Sequence, residues 1–447
     1  MNILEKLEAY SLKTSEIDKD LYLKHDVKRG LRNQDGSGVL VGLTHIGDVV
    51  GYNKIDGKVT PCHGELYYRG VAVTDLVKGF QKDGRHGYDE TVFLLLAGQL
   101  PNTKELHEFS QELSVLRDLP QYFTKNMILS LRGRDIMNML ARSVLVLYEM
   151  DEDAEDYSHI NLTRQCLNLI AKFPVITCYA YFGYRHSYQR KSLIIRHPDY
   201  KLSTAENFLY MLKGDNYTKL EAEIIDLALV LHAEHGGGNN SSFTTRVVSS
   251  SQTDTYSAIA AALGSLKGRL HGGANLKVIE MMENIKANVT NWNDEEEIAD
   301  YLGKILKKEA FDKSGKVYGM GHAIYTLSDP RAILLKEKAR ELAIEKGKEA
   351  EFNLYNSVEK LTPHVFAEFK GGDAKTISAN VDFYSGFVYL CLDIPKEIFT
   401  PIFAVARIAG WCSHRLEEVT SSAARIIRPA YKNVCERPNY VPINERG

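Results

Sequence analysis

Four glycine-rich breaks in this 447-residue chain carry most of its rare polar side chains, at places where a helix end meets a loop. In LHAEHGGGNN an apolar run stops in three glycines and leaves His232 and His235 in its last turn, where exposed carbonyls favour a cationic imidazole. Two satisfied histidines at a helix C-cap would read the same way. A metal-binding His-x-x-His pair is the weaker reading, because the segment departs from HExxH and no third ligand is indicated. In GRLHGGANLKVIEMM, His271 immediately precedes two glycines and a new helix, a position that biases an imidazole towards its neutral form. Such a group donates or accepts one proton without carrying charge, which suits an acid facing a developing enolate. A structural histidine at a tight turn fits the same residues.

In VYGMGHAIYTLSDPRAILL, Gly319 and Gly321 permit a bend that exposes peptide groups, and His322 sits at its end. This is not a dinucleotide fingerprint, since no strand precedes it and the third glycine is absent. Asp329 can cap the next helix with Pro330 at its first position, which puts Arg331 in the first turn. There the guanidinium and the helix terminus both attract a carboxylate. An ordinary cap beside a surface arginine is the plain alternative. In ISANVDFYSGFVYLCL, Asp382 lies within an apolar and aromatic run, where an ionised carboxylate is costly unless it is paired or reacts. An N-cap or an ion pair would also account for it. Arg407 is embedded in IFAVARIAGWC, with Trp411 and His414 following on its helical face, and a guanidinium there needs an anion. A structural carboxylate or a substrate carboxylate could supply it.

The elements that must position these residues are mainly helices. Helical periodicity dominates after Tyr68, in ETVFLLLAGQLP, KELHEFSQELSVLRDL, RDIMNMLARSVLVLYEM, AENFLYMLKG and KLEAEIIDLALVLHAEH. From Val39 to Tyr68, apolar runs flank Asp56-Gly57, a dipeptide that tolerates the positive φ of a tight hairpin, so a few short strands are expected. Residues 253 to 270 form a helix whose apolar side is mostly Ala, Gly and Ser, close to its neighbours and central. A charged stretch from Asn291 onwards implies a smaller domain with more solvated faces. The main core returns at FTPIFAVARIAGWCSHRLEEV, where Thr400 can cap the first turn with Pro401 at the first helical position. The first thirty-odd residues read as an arm.

Composition narrows the partners. With 55 basic and 58 acidic residues interspersed, the net charge of −3 gives no broad footprint for nucleic acid or an anionic membrane. No run approaches the roughly 20 uninterrupted apolar residues of a membrane span, and MNILEKLEAYSLK has no apolar signal core. A soluble, cytoplasmic protein is expected. The six cysteines lie far apart with no CxxC pair, so they read as reduced structural thiols. No internal repeat is visible.

Taken in order, LHAEHGGGN, HGGAN, GMGHAIY with DPRA, and SANVDFYSG resemble the signature segments of citrate synthases and the related 2-methylcitrate synthases. ELYYRG and FLLLAGQLP look like that family's front half, and ARIAGWCSHRLEEV with RIIRPAYKN looks like its end. The resemblance implies a citrate synthase-like, two-domain, mainly α fold with a few short N-terminal strands. Residues 1–284 and 396–447 would form the large domain, and residues 285–395 a small helical domain that closes over the active site. It implies an acyltransferase of the tricarboxylic acid cycle that condenses acetyl-CoA with oxaloacetate and water into citrate and CoA. Asp382 would be the base, His271 the acid at the thioester oxygen, and His322 the group that polarises the ketone. His235, Arg331 and Arg407 would hold substrate carboxylates, joined by Arg428 from the partner chain of a homodimer. Val317, Gly319, Met320, Gly321 and Lys375 would contact CoA. The resemblance implies no metal and no cofactor beyond the co-substrate. Family members often carry a basic residue where this chain has Thr326, which puts one phosphate contact in doubt. A 2-methylcitrate synthase using propionyl-CoA is the close alternative, since one methylene is worth only about 1 to 3 kcal/mol of discrimination. More distant alternatives are a metal-dependent hydrolase and a catalytically silent helical scaffold.

Overall fold

Apolar residues alternating on either side of Asp56-Gly57 pair as an antiparallel hairpin, β1 (Gly47–Ile55) with β2 (Lys58–Tyr68). The structure, a computed structural model, describes residues 2–55, 58–371, 377–423 and 425–446. Asp56 and Gly57 lie outside the described residues, and the described pairing runs to Ile55 with Lys58. The register slips between Val50 and Tyr52, a bulge at Gly51. A short β3 (Val71–Ala72) pairs with the end of β2 and completes the sheet. The sheet begins only at Gly47, later than the apolar run from Val39 suggests.

The rest is helical, and 59% of the protein is helix, so the mainly α reading holds. Residues 44–426 form one compact unit; residues 1–43 and 427–447 form another, which contains α1 (Ile3–Ser15) and α2 (Lys19–Lys24). Within the larger unit the chain runs through α3 (Val73–Lys82), α4 (Tyr88–Ala97), α5 (Thr103–Val115), α6 (Ile136–Glu149), α7 (His159–Gln189), α8 (Thr204–Lys213) and α9 (Lys219–His232). It continues through α10 (Asn240–Ser249), α11 (Thr255–Leu266), α12 (Ala274–Asn288), α13 (Glu295–Leu306), α14 (Pro330–Glu345), α15 (Glu349–Lys370), α16 (Val381–Cys391) and α17 (Phe399–Thr420).

α17 is the axis. It packs against α4, α6, α7, α9, α10, α11 and α12, and Trp411 on it is fully buried. The small-residue helix α11 lies tight against α10, α6 and α17, as its Ala-rich face predicts. α7, at 31 residues, is long and apolar enough to cross a bilayer, but 89% of its most apolar window is buried inside the protein. It is a core helix here, in a stretch where the sequence suggests no uninterrupted apolar span. α13 packs on α15, and α14 on α15, α16 and α9. Glu221 on α9's first turn, only 2% exposed, accepts Lys213 at 2.9 Å and also bonds Lys346 just beyond α14. All six cysteines are free thiols.

Two tyrosine hydroxyls anchor the core helices α9 and α17. Tyr68 donates to the Val230 carbonyl at 2.9 Å, and Tyr88 to the Val405 carbonyl at 2.7 Å. A buried hydroxyl is tolerated only with a partner, and both rings fill core volume. Tyr88→Phe keeps the ring and removes the bond, so stability should fall by about 1 kcal/mol. Chemical denaturation measures this as a lower midpoint with an unchanged slope; an unaltered midpoint would show that the bond contributes nothing net.

Candidate active site

α9 brings in the first two histidines. It ends at His232, and Gly236, at φ +79°, turns the chain before Asn239 caps α10. Both His232 and His235 are buried, and burial, followed by the Arg331 charge, holds each imidazole well below its ordinary pKa. They are neutral, the reverse of the cationic state expected at a helix C-terminus. Lost hydration and two buried guanidiniums outweigh the roughly 1 kcal/mol that the helix dipole offers a cation. His232 Nδ1 and His235 Nε2 have no hydrogen-bond partner among the described residues.

Arg407 lies at the centre of the cluster. Its Nε donates to the His232 carbonyl at 2.6 Å, and its guanidinium carbon sits 4.7 Å from the Phe403 ring centroid. Nη1 and Nη2 are buried with no hydrogen-bond partner among the described residues. Burial pushes its pKa down to about 10, with the Glu234 carboxylate acting against that. Glu234, fully buried between the two histidines, accepts from His414 Nε2 at 3.0 Å, and Arg246 Nε donates to His414 Nδ1 at 3.1 Å. The anion demanded by Arg407 is therefore partly structural in charge, yet two guanidinium nitrogens remain for hydrogen bonds with an incoming carboxylate.

His271 lies on the turn between α11 and α12. Gly272 is obligatory there, because a Cβ would stand 2.4 Å from the Leu266 carbonyl oxygen. Thr400 does not cap α17; it lies inside the helix, and its hydroxyl donates to the Gly272 carbonyl at 3.0 Å, pinning the turn. His271 Nε2 lies 3.0 Å from Ser241 Oγ, which also accepts Trp411 Nε1–H at 3.1 Å. Burial and then the Arg407 charge push the His271 pKa down to about 4, so this imidazole is neutral, as its position before a helix predicts.

His322 Nδ1 accepts two backbone amides, from Ile324 at 3.0 Å and Tyr325 at 3.1 Å, so that nitrogen carries no proton. Its ring centroid lies 5.1 Å from that of His235 and 4.7 Å from that of Tyr325. The hairpin holds this loop from behind. Gly64 N donates to the Ser328 carbonyl at 3.1 Å, and the Thr326 hydroxyl donates to the Gly51 carbonyl at 2.5 Å and the Cys62 carbonyl at 3.1 Å. Thr326 is thus buried and occupied by the hairpin.

Asp329 caps α14, as expected, and binds Arg331 at two points, 3.0 and 2.7 Å. Arg331 therefore has a resident carboxylate partner inside the cluster. Asp329 Oδ2 also accepts Val381 N at 3.2 Å, which ties this loop to the start of α16. Asp382 follows in the first turn of α16, and its carboxylate has no hydrogen-bond partner among the described residues. Burial pushes its pKa up to about 6, with Arg331 acting against that.

The Gly319–Gly321 bend does not leave its peptide groups exposed. Asn380 N bonds the Gly319 carbonyl at 2.9 Å, Asn380 Nδ2 bonds the Gly321 carbonyl at 2.9 Å, and Gly321 N bonds the Ser378 carbonyl at 2.7 Å. Both glycines have positive φ, +77° and +88°, which explains their presence. Val317 is buried, whereas Met320 lines a cavity of about 230 Å³ with Ile377, Ser378 and Ser328. Lys375 lies outside the described residues, and Arg428 belongs to the other compact unit. His235, His271, His322, Arg331, Arg407 and Asp382 are thus brought into one electrostatic cluster. Sequence reasoning passed over Glu234, Ser241 and Phe403; the only signal was an acidic residue between two histidines beside three glycines. Among the described residues, no three His, Cys, Asp or Glu side chains are grouped to hold a metal.

The hairpin contact is testable through stability. A Cβ on Gly64 would lie 2.2 Å from the Ser328 carbonyl oxygen, whereas one on the helical Gly79 meets nothing within 4 Å. Gly64→Ala should cost about 1 to 3 kcal/mol, and Gly79→Ala should be neutral or gain up to about 1 kcal/mol. Denaturant unfolding of both variants checks this, and equal midpoints would refute the close approach.

The family described as citrate synthase, C-terminal domain, matches residues 35–430. A citrate synthase of Haloferax volcanii is 34% identical over 432 residues, spanning 94% of this chain and 99% of that protein. A 2-methylcitrate synthase of Shewanella oneidensis is 32% identical over 383 residues, 85% of this chain and 92% of that one. The solved ternary complex of carboxymethyl coenzyme A and oxaloacetate with the citrate synthase of Thermoplasma acidophilum superposes with a TM-score of 0.74 at 26% identity, covering 94% of this chain and 99% of that one. The chain that gathers these neutral imidazoles, a carboxylate of raised pKa and the buried Arg407 guanidinium belongs to the citrate synthase family.

Proposed function

We propose that the protein condenses acetyl-CoA with oxaloacetate and water to give citrate and CoA. The observation that carries this reading is the buried, unpaired fork of Arg407 amid neutral imidazoles and a carboxylate with a raised pKa. Anionic substrate, weak acid and base are what an enolising condensation needs in one place.

In the proposed sequence, Arg407 Nη1 and Nη2 bind a carboxylate of oxaloacetate, helped by the neutral His235, whose Nε2 has no partner among the described residues. Arg331 adds charge while held by Asp329. Asp382 removes a proton from the acetyl methyl group. His271 donates to the thioester oxygen from Nδ1 when the Ser241 hydroxyl proton turns from Asn239 Oδ1, 2.9 Å away, to His271 Nε2, 3.0 Å away. The thioester methyl is a very weak carbon acid, and a positioned acid–base pair contributes on the order of 10² to 10⁴ in rate. Charge stabilisation at the enol oxygen contributes the rest. The enol carbon then attacks the oxaloacetate ketone, forming the C–C bond while the thioester C=O re-forms and its proton returns to His271. The ketone electron pair becomes a hydroxyl by taking the proton on His322 Nε2, the nitrogen left protonated because Nδ1 accepts two amides. Water adds to the citryl-CoA thioester, the C–S bond breaks, and CoA leaves as the thiol.

The same reading assigns the small-domain role to residues 285–395, closing over the site to exclude water. It assigns CoA binding to the Val317–Gly321 loop beside the 230 Å³ cavity and to Lys375, and gives Thr326 no part in it, since that hydroxyl is taken up by the hairpin. It also places Arg428 of a partner subunit in a homodimer's site and the enzyme in the cytoplasm, serving the tricarboxylic acid cycle with no cofactor beyond its co-substrate. The kinship to a 2-methylcitrate synthase favours one alternative, propionyl-CoA as the acyl donor.

Thiol release with acetyl-CoA and propionyl-CoA at fixed oxaloacetate tests the reading. The larger kcat/KM is expected for acetyl-CoA; the reverse order would make the enzyme a 2-methylcitrate synthase, and no release with either would end the proposal. Asp382→Ala should lower kcat by at least about 10² while oxaloacetate still binds; near-normal turnover would remove Asp382 from its role. The pH profile follows from protonation states. Asp382 must be ionised and His271 neutral, and with their pKa values near 6 and 4 both requirements are met only above about pH 6. kcat/KM should therefore fall as one proton binds below about pH 6. A profile flat between pH 5 and 7 would contradict the assignment.

A further inference from the structure

The three segments that present His271, His322 and Asp382 meet again at buried residues between α12 and α16. Asn275, four residues after His271 on α12, is 8% exposed and donates through Nδ2 to Ser385 Oγ, three residues after Asp382 on α16. Ser385 is fully buried. Next to it, Gly386 lets the helices touch: a Cβ there would stand 2.7 Å from Asn275 Oδ1 and 2.9 Å from Ile279 Cγ1. Gly319, which leads to His322, is wedged at the same junction, where a Cβ would stand 2.8 Å from Val278 on α12 and 3.0 Å from Phe383 Cα on α16. Asn275 Oδ1 is buried and has no hydrogen-bond partner among the described residues. Among the described residues the amide therefore bonds only Ser385.

A polar bond between two otherwise apolar helix faces is directional where apolar packing is not. Asn275 costs helix propensity and leaves a buried oxygen unsatisfied, so apolar residues of similar size would hold the helices together with less penalty. What they would not hold is the rotation and rise of α12 against α16. Those two coordinates place the His271 turn, at the start of α12, against Asp382 in the first turn of α16. We propose that Asn275 and Ser385 are positioning residues, whose hydrogen bond sets the spacing of the acid His271 from the base Asp382 and so the rate of enolisation. This rests on the catalytic reading above and adds to it two residues that touch neither substrate nor reacting atoms. Their loss acts on kcat ahead of oxaloacetate binding, because Arg407 and His235 are carried by α17 and the turn after α9, while only Arg331, through Asp329 and Val381, is linked to α16.

The test is steady-state kinetics of the full chain with Ser385→Ala, Asn275→Ala and the double variant, and Asp382→Asn as reference. Displacements of an ångström or less in reacting groups cost about 10- to 100-fold, so each single variant should lose about tenfold in kcat with KM for oxaloacetate within about twofold. The double variant should lose no more than either single one, since both remove the same bond. An unchanged kcat in both single variants, losses that multiply in the double, or a rise in oxaloacetate KM with kcat preserved would each overturn the proposal. If Asn275→Ala does not fold, Ser385→Ala, which only deletes one oxygen, decides alone by its kcat-to-KM split. Asp382→Asn separates the two levels. Turnover retained there defeats the catalytic reading itself; turnover lost there but kept in Ser385→Ala defeats only the positioning claim.

Discussion

A guanidinium enclosed with no hydrogen-bond partner among the described residues for two of its nitrogens is the constraint on which the rest of the site depends. Left alone, a buried cation is among the costliest groups a protein can hold. The protein offsets part of that cost with the Glu234 charge, the Phe403 ring face at 4.7 Å and the His232 carbonyl at 2.6 Å. None of these satisfies Nη1 or Nη2. What remains is affinity for a planar anion, stored in the fold before any ligand arrives.

Burial sets the protonation states around it, and the guanidinium charges add to that. Burial and then Arg331, with Arg407 behind it, depress His232 and His235; burial and then Arg407 depress His271; and Arg331 ahead of Arg407 limits the rise that burial imposes on Asp382. For His271 the displacement from 6.5 to about 4 corresponds to roughly 3 kcal/mol against protonation. Near neutral pH the imidazole is then a neutral donor, while the carboxylate, at about 6, is mostly ionised but basic enough to take a proton from carbon. Two groups with opposite tasks are separated by environment alone.

Backbone contacts too close for side chains hold this arrangement. Gly272 under Thr400, Gly51 and Gly64 against the His322 loop, and Gly319 between α12 and α16 each sit where a Cβ would collide. Much of this is legible in the sequence: the mainly α class, the hairpin, the Asp329 cap, the neutral His271 and the need of Arg407 for an anion all follow from local pattern. The rest depends on partners distant along the chain. Thr400 reads as a cap but bonds Gly272, and Thr326 reads as a missing phosphate ligand but bonds Gly51. His232 and His235 read as cations because a helix end is visible in sequence, whereas Arg331 and Arg407, far downstream, are not visibly adjacent. α7 carries Pro174 and is buried over most of its length, so it shows no amphipathic stripe by which its helix could be read. Glu234 needed Gly47 and Gly410 to approach it before its burial had any meaning.

The central claim is that the unpaired Arg407 fork is the seat of the substrate carboxylate. Calorimetric titration of oxaloacetate into the protein and into its Arg407→Leu variant tests it most directly. Two charge-assisted hydrogen bonds, at about 1.5 to 3 kcal/mol each, correspond to at least about 100-fold in affinity, so binding should weaken by that factor or disappear. An affinity for Arg407→Leu within about threefold of the parent would contradict the account.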